Sequence, residues 1–291
     1  MNSIDIESKK FLGQPKNFVS IFNALLFDGK QVLKPEYLKD ENSELVMNVS
    51  SKHVDIIKRY EDGTYLDLFV IENQSYVDPS MVARVMEYES VARMRYIRQN
   101  FKKHVPMHTR LPMILTVVLY VGESKWNAAK RLSELEIIHP GFEDMFNEFK
   151  LNLIELNTNH KYNTGEKATQ DFFDLLRMIY RKQILKEDLD REFNRDALYF
   201  AYVVTKNKEL LNIYQESEKG DVKVCRALDE MFEESTNKGI QMGIKQGIEQ
   251  GIALNQFEVY QTMLDKGFSV KAIASIFSVS EESIKTLLMK A

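Results

Sequence analysis

The chain has 291 residues, 44% hydrophobic and 28% charged, which is a globular balance and enough for one large domain with appendages or for two domains. A formal net charge of −4 excludes a general attraction to nucleic acid, so any phosphate contact must come from a local basic patch. The single cysteine, Cys225, excludes an internal disulfide and a cysteine-rich zinc site, and it is typical of the reducing cytoplasm, where we expect this protein. The longest apolar run, residues 111–121, is too short to span a membrane, and we expect no targeting peptide at the N-terminus.

The first predicted elements are a helix and a β-hairpin. The apolar residues of segment 17–26 fall on one face of a helix. Segments 54–60 and 65–71 are rich in β-branched and aromatic residues, and the turn between them contains Asp62-Gly63. This pattern is typical of two antiparallel strands joined by a tight turn.

Three polar side chains lie at the open end of the predicted hairpin. Asp55 is the second residue of the first run and Glu72 follows the second run, so strand pairing would hold their carboxylates side by side. Gln74 is two residues beyond Glu72 and projects from the same strand face. Adjacent buried carboxylates repel each other and lose hydration, which favours a divalent cation between them. The pattern therefore indicates metal-dependent phosphodiester cleavage.

A purely structural alternative remains open for both carboxylates. Asp55 would then pair with Lys58 or Arg59, and Glu72 would pair with Arg84.

A second helix and a buried strand follow the hairpin. Asp78 predicts the cap of this helix and Pro79 its first turn, and an apolar stripe extends to about Gln99. The continuous apolar run of residues 111–121 predicts a central strand buried on both faces. Helix, hairpin, helix and strand together predict an α/β core over residues 1–125.

Residues 126–234 are predicted to be mainly helical and to pack on this core. Apolar residues recur at helical spacing within segments 172–179 and 198–204.

The last segment, residues 235–291, contains a glycine repeat and a helical pair. Glycine recurs every four residues from Gly239 to Gly251, each time followed by isoleucine. In a helix each glycine costs about 1 kcal/mol relative to alanine, so the repeat indicates either close packing against a partner helix or a flexible linker. Segments 271–277 and 281–288 predict two short helices around a tight turn, which we interpret as a small helix-turn-helix-like cap.

The order of helix, hairpin, helix and buried strand, with Asp55 and Glu72 on the hairpin, resembles the PD-(D/E)XK nuclease superfamily. More narrowly, the chain looks like the Rpn family of recombination-promoting nucleases, whose members are often labelled transposases. The narrower likeness lies in residues 70–75, Arg84, Tyr88, residues 111–122 and Trp126. The glycine repeat and terminal helical pair are also similar to bacterial members of that family.

The resemblance implies an α/β fold with a PD-(D/E)XK nuclease-like core, in which helices flank a central mixed sheet, followed by a mainly helical C-terminal region. It implies a Mg²⁺- or Mn²⁺-dependent DNA endonuclease that promotes recombination or acts in a mobile element. Asp55 and Glu72 would bind the metal, and Gln74 would complete the catalytic set where the superfamily usually places a lysine. DNA is the implied partner, and we expect a homodimer because cutting both strands usually needs two centres related by two-fold symmetry.

Four side chains on the helix after the site form a stripe at helical spacing: Arg84, Tyr88, Arg95 and Arg98. This stripe would contact DNA phosphates beside the metal, and the alternative is a solvated basic face.

An alternative function is a catalytically degenerate protein that binds nucleic acid or a protein partner. Two departures motivate this alternative: Gln74 in place of lysine, and no acid in segment 18–23, where related sequences tend to carry one.

Overall fold

A computed structural model describes residues 3–41, 56–63, 66–184, 188–217 and 220–290. The chain divides into two compact units, Met1–Asp229 and Glu230–Ala291. The helices in the described residues are α1 (Ser3–Leu12), α2 (Pro15–Phe27), α3 (Met81–Asn100), α4 (Lys167–Arg181), α5 (Arg195–Thr205), α6 (Lys208–Glu216), α7 (Cys225–Asp265), α8 (Val270–Phe277) and α9 (Glu281–Lys290). The strands are β1 (Leu38–Asp40), β2 (Ile56–Glu61), β3 (Leu66–Gln74), β4 (Ile114–Tyr120), β5 (Asn152–Glu155), β6 (Glu192–Phe193) and β7 (Val222–Lys223).

Strands β1 to β5 form one mixed sheet in sequential order. β1, β2 and β3 are antiparallel neighbours, whereas β4 lies parallel to β3 and β5 parallel to β4. The predicted hairpin is confirmed, because β2 pairs with β3 from Ile56–Ile71 to Glu61–Leu66. Gly63 in the intervening turn has a φ of +88°, a conformation that glycine adopts without steric strain.

Helices cover both faces of this sheet. Leu68 and Val70 of β3 pack with Tyr88 of α3 on one face. On the other face, the ring of Phe69 lies 4.8 Å from that of Phe22 in α2. α4 and α5 pack in turn against α2 and α1. The predicted α/β nuclease-like fold, with a central mixed sheet flanked by helices and a helical C-terminal region, is therefore confirmed.

Two local predictions need correction. The helix after the hairpin begins at Met81 with Ser80 as its N-cap, because the side chain of Asp78 binds Ser80 and Arg84 instead of capping the helix. β5 lies within the segment expected to be mainly helical. Its four residues are too few to show a strand periodicity, and the strand forms by pairing with the second half of β4.

In the second unit, α8 and α9 pack together with the last turns of α7. The apolar core that they share is formed by Tyr260, Ile273, Ala274 and Ile284. The Ser280 hydroxyl accepts a 3.1 Å hydrogen bond from the Ser283 backbone N–H at the start of α9. The predicted pair of short helices is thus confirmed.

The glycine repeat is helical and lies within α7. A methyl group built at any glycine from Gly239 to Gly251 would meet no atom within 4 Å. The isoleucine beside each glycine is also exposed, with 54% to 58% of its surface accessible from Ile240 to Ile252. Across the described helices, none is both long and apolar enough to cross a membrane.

Candidate active site

Glu72 and Gln74 lie near the end of β3, on the face that α3 covers. Side chains alternate along a strand, so both continue the row begun by Leu68 and Val70, which pack against α3. Both are buried, with 4% of the surface of each exposed. The parallel pairing of β3 with β4 places Glu72 opposite Val118 and surrounds it with the central strands. The sheet thus holds a carboxylate and an amide on one surface in an apolar setting.

Arg84 binds this carboxylate from the first turn of α3. Its Nη2 atom donates to Glu72 Oε1 at 2.9 Å, and its Nη1 atom donates to Asp78 Oδ2 at 2.6 Å. The Tyr88 hydroxyl, one turn further along α3, accepts from Nη2 and Nε of the same guanidinium at 2.7 and 3.0 Å. Glu72, Asp78, Arg84 and Tyr88 are therefore one connected group, which we call the Arg84 cluster.

Burial and the neighbouring groups together determine the pKa values of Arg84, Tyr88 and Asp78 in this cluster. Burial alone would lower the pKa of Arg84, but hydrogen bonds to Tyr88 and Asp78 and the charge of Glu72 outweigh it, so the pKa rises. Burial raises the pKa of Tyr88, and the nearby charge of Glu72 adds to this shift. For Asp78 burial is outweighed by hydrogen bonds from Ser80 and Arg84, and the pKa falls. The carboxylate of Asp78 and the guanidinium of Arg84 are therefore both stabilised in their charged forms.

Gln74 is held by local bonds. Its Nε2 atom donates to the Tyr76 carbonyl at 2.9 Å, and its backbone carbonyl accepts from the Val121 N–H at 2.9 Å. These bonds fix the amide on the same strand face as Glu72.

The predicted basic stripe divides into two parts. Arg84 and Tyr88 belong to the site, where their side chains form the hydrogen bonds of the Arg84 cluster. Arg95 and Arg98 lie towards the other end of α3. At 1.5 Å per residue, Arg98 is about 21 Å along the helix axis from Arg84. The four residues share one side of α3 without forming one cluster.

Two further predicted features of the site are Asp55 and segment 18–23 of the predicted first helix. Asp55 lies outside the described residues. In the first-helix segment 18–23, Ser20 and Asn23 are on α2, which covers the opposite face of the sheet. The Ser20 hydroxyl binds the Asn17 carbonyl and the Thr169 hydroxyl, each at 2.8 Å. The side chain of Asn23 exchanges two 2.9 Å hydrogen bonds with the backbone of Leu33.

Asp78 is the site residue that the sequence did not reveal. It was expected to cap a helix, and only the path of the chain between β3 and α3 turns its carboxylate towards Arg84. The spacing of Asp78 and Arg84 in the sequence does not reveal this contact, because Asp78 lies in the loop between β3 and α3 and not on the helix that carries Arg84.

The available donors are of the type that hard divalent cations bind. The Glu72 carboxylate and the Gln74 amide offer oxygen atoms on one strand face, and oxygen is the ligand atom that Mg²⁺ and Mn²⁺ prefer. In the part of the chain that the structure describes, no group of three or more His, Cys, Asp or Glu side chains is arranged to hold a metal ion. A complete metal site would therefore need a further ligand, for which Asp55 is the candidate from the sequence.

The five-stranded mixed sheet flanked by helices is consistent with an α/β nuclease-like fold. The family model described as "Putative transposase, YhgA-like" matches residues 9–210, and the chain belongs to this family. It is the Rpn family of PD-(D/E)XK proteins, as the sequence predicted. No curated protein and no solved structure matches the chain.

Proposed function

We propose that this protein is a Mg²⁺- or Mn²⁺-dependent DNA endonuclease whose centre comprises Asp55, Glu72 and Gln74. The observation that carries the proposal is the burial of the Glu72 carboxylate at the open end of the hairpin, in a chain of the Rpn family. A role in recombination or in a mobile element is part of the same proposal, since the family is described as one of transposases.

The register of the hairpin supports the assignment of Asp55. Asp55 is bonded to Ile56, and Ile56 pairs with Ile71, the residue before Glu72. Continued by one residue, this register would bring Asp55 and Glu72 to the same end of the β2–β3 pair. We assign the two carboxylates to one metal ion on this basis.

The residues of the site have distinct roles in this proposal. A divalent cation held by Asp55 and Glu72 would polarise the scissile phosphate and make a water more acidic. Gln74 can orient that water or bind a phosphate oxygen through its amide, although it supplies no positive charge. Arg84 is a positioning residue, because its 2.9 Å bond restricts the rotamers of Glu72.

Glu72→Gln is the sharpest test of this assignment. The change keeps the shape of the side chain and an acceptor for Arg84, but it removes the negative charge that would bind the metal. Glu89→Gln is the matched control, because Glu89 is also a buried carboxylate of this layer and pairs with Arg93 at 2.8 Å. We expect Glu72→Gln to lose metal-dependent nicking of supercoiled plasmid by at least about 100-fold, as for a group that acts on the reacting centre, whereas Glu89→Gln retains it. Equal activity in the two variants would contradict the proposed centre.

The alternative function, a degenerate nuclease fold that binds nucleic acid or a protein partner, is favoured by one observation. Glu72 pairs with Arg84, which is the purely structural arrangement that the sequence also allowed. Titration calorimetry separates the two functions. A catalytic site binds Mn²⁺ with a heat signal that Glu72→Gln removes, and a degenerate site gives no such signal with either protein.

A further inference from the structure

One part of the chain is strongly basic although the whole is acidic. The 33 residues from Ser90 to Gly122 contain six of the 39 basic residues and none of the 43 acidic residues. They comprise the second half of α3, the loop that follows it, and β4. This segment therefore carries a local excess of positive charge, which a protein of negative net charge needs in order to contact phosphates.

Four of the six basic residues in this segment are exposed: Arg98, Lys102, Lys103 and Arg110. We call them the distal basic patch. Across the described residues, no carboxylate forms an ion pair with any of the four. Arg84, in contrast, is bound to two carboxylates, and Arg93 is paired with Glu89.

One acidic residue, Asp67, contacts the end of the loop that carries the patch. Asp67, at the start of β3, accepts a 3.1 Å hydrogen bond from the Met113 N–H at the end of the loop. Asp67 binds a backbone N–H in this contact and forms no ion pair with any of the four cations. Their charges therefore face solvent, where a phosphate chain can reach them.

The patch lies away from Glu72. β4 runs parallel to β3, so the loop before Ile114 is at the opposite end of the sheet from Glu72 and Gln74. α3 connects the two ends, with Arg84 in its first turn and Arg98 in its last. The separation of about 21 Å along the helix corresponds to about six nucleotide steps of 3.4 Å on one DNA strand.

We propose that the distal basic patch is a second docking surface for the DNA backbone, about six base pairs from the phosphate at Glu72. The inference rests on the proposed function in that it takes DNA as the substrate. A duplex fits because the exposed cations begin in the last turn of α3 and continue into the following loop, away from Glu72. The loop also exposes an apolar side chain, with 92% of Met107 accessible, which can contact sugars or bases in a groove.

Salt dependence of binding tests this surface. The full-length variant Lys102→Gln/Lys103→Gln/Arg110→Gln is compared with wild type by fluorescence anisotropy, using a labelled 20-base-pair duplex in EDTA so that no cutting intervenes. Each lost phosphate contact reduces the slope of log K against log salt by about 0.9, so the triple variant should lose about 2.7 from the slope. Affinity at low salt should fall at least about tenfold. Lys30→Gln/Lys161→Gln/Lys208→Gln, which removes three exposed lysines elsewhere, should leave the slope and the affinity unchanged.

Two results would overturn the inference. One is a triple variant whose slope and affinity equal those of wild type. The other is wild-type binding to phosphatidylserine-containing vesicles that the triple variant loses while its DNA binding is unchanged, since the patch would then recognise an anionic lipid surface.

The inference and the proposed function can fail separately. If wild type binds DNA through the patch but cuts no plasmid with Mg²⁺ or Mn²⁺, the nuclease proposal fails and the docking surface stands. If wild type cuts while the triple variant keeps its full salt slope, the docking surface fails and the nuclease stands.

Discussion

Replacing Arg84 by methionine should destabilise the first unit strongly, and more at high pH than at low pH. The Arg84 side chain is 13% exposed, and its partners Glu72 and Asp78 are 5% and 11% exposed. Arg84→Met leaves both carboxylates buried without their counterion. Removal of one partner from a buried ion pair typically costs about 3–5 kcal/mol. In a unit of this size, that corresponds to a fall in Tm of about 6–20 °C.

The dependence on pH follows from the sign of the pKa shift. In wild type the pKa of Asp78 is lowered by Ser80 and Arg84 against the effect of burial, so its contribution to stability is present above the unfolded pKa. This contribution is lost as the pH falls through the folded value. In Arg84→Met, the burial of Asp78 is no longer outweighed by the guanidinium, so the pKa of Asp78 rises and its protonation relieves the penalty. The stability difference between wild type and variant should therefore be smaller at pH 5 than at pH 8.

Urea unfolding followed by tryptophan fluorescence measures this difference. Trp126 is the single tryptophan, and it packs in the cluster that includes Met81, Val82 and Val85 of α3. Its emission therefore reports on the layer that contains Arg84. Arg226→Met is the matched control, since Arg226 pairs with Asp190 on the surface, where both side chains are more than 70% exposed. A loss below about 1 kcal/mol in Arg84→Met at pH 8, or equal losses at both pH values, would contradict the role of Arg84 as the counterion of the two buried carboxylates.

Three further predictions follow from the structure. Gln74→Lys restores the residue type that the superfamily usually carries, and the initial rate of plasmid nicking should rise several-fold because an ammonium can stabilise the developing phosphate charge. Ile244→Glu/Ile248→Glu should reduce a homodimer to monomer in light scattering, because these side chains of α7 are more than half exposed and the change would place charge in an apolar stripe. Cys225 should resist Ellman's reagent at pH 8 in the native state and react fully in urea, since burial and the charge of Asp188 raise its pKa to about 11.

Each of these has a clear contrary outcome. A lower nicking rate in a folded Gln74→Lys protein would show that the amide itself is needed. An unchanged mass in the isoleucine variant, or a wild type that is already a monomer, would remove α7 as the dimer contact. Rapid native labelling of Cys225 would contradict its burial.

The parts of the fold that the sequence predicts are those set by local patterns. The turn at Gly63 and the β-branched runs around it specify the β2–β3 hairpin, and the apolar run of β4 specifies a strand buried on both faces. These signals lie within a few residues of the element that they predict.

The parts that could not be predicted depend on contacts across the fold. β5 has four residues and exists by pairing with β4, so no period of its own could reveal it. Asp78 meets Arg84 only because the loop after Gln74 turns back towards α3. The pairing of Glu72 with Arg84 was one of two alternatives from the sequence, and only the geometry shows that the bond is formed.

An assay of DNA cutting is the most direct test of the proposed metal-dependent endonuclease activity. Purified protein is incubated with supercoiled plasmid and Mg²⁺ or Mn²⁺, beside Asp55→Ala and an EDTA control. Wild type should show metal-dependent nicking that EDTA abolishes and that Asp55→Ala lacks. No cutting by wild type with either metal, or equal cutting by Asp55→Ala, would contradict it.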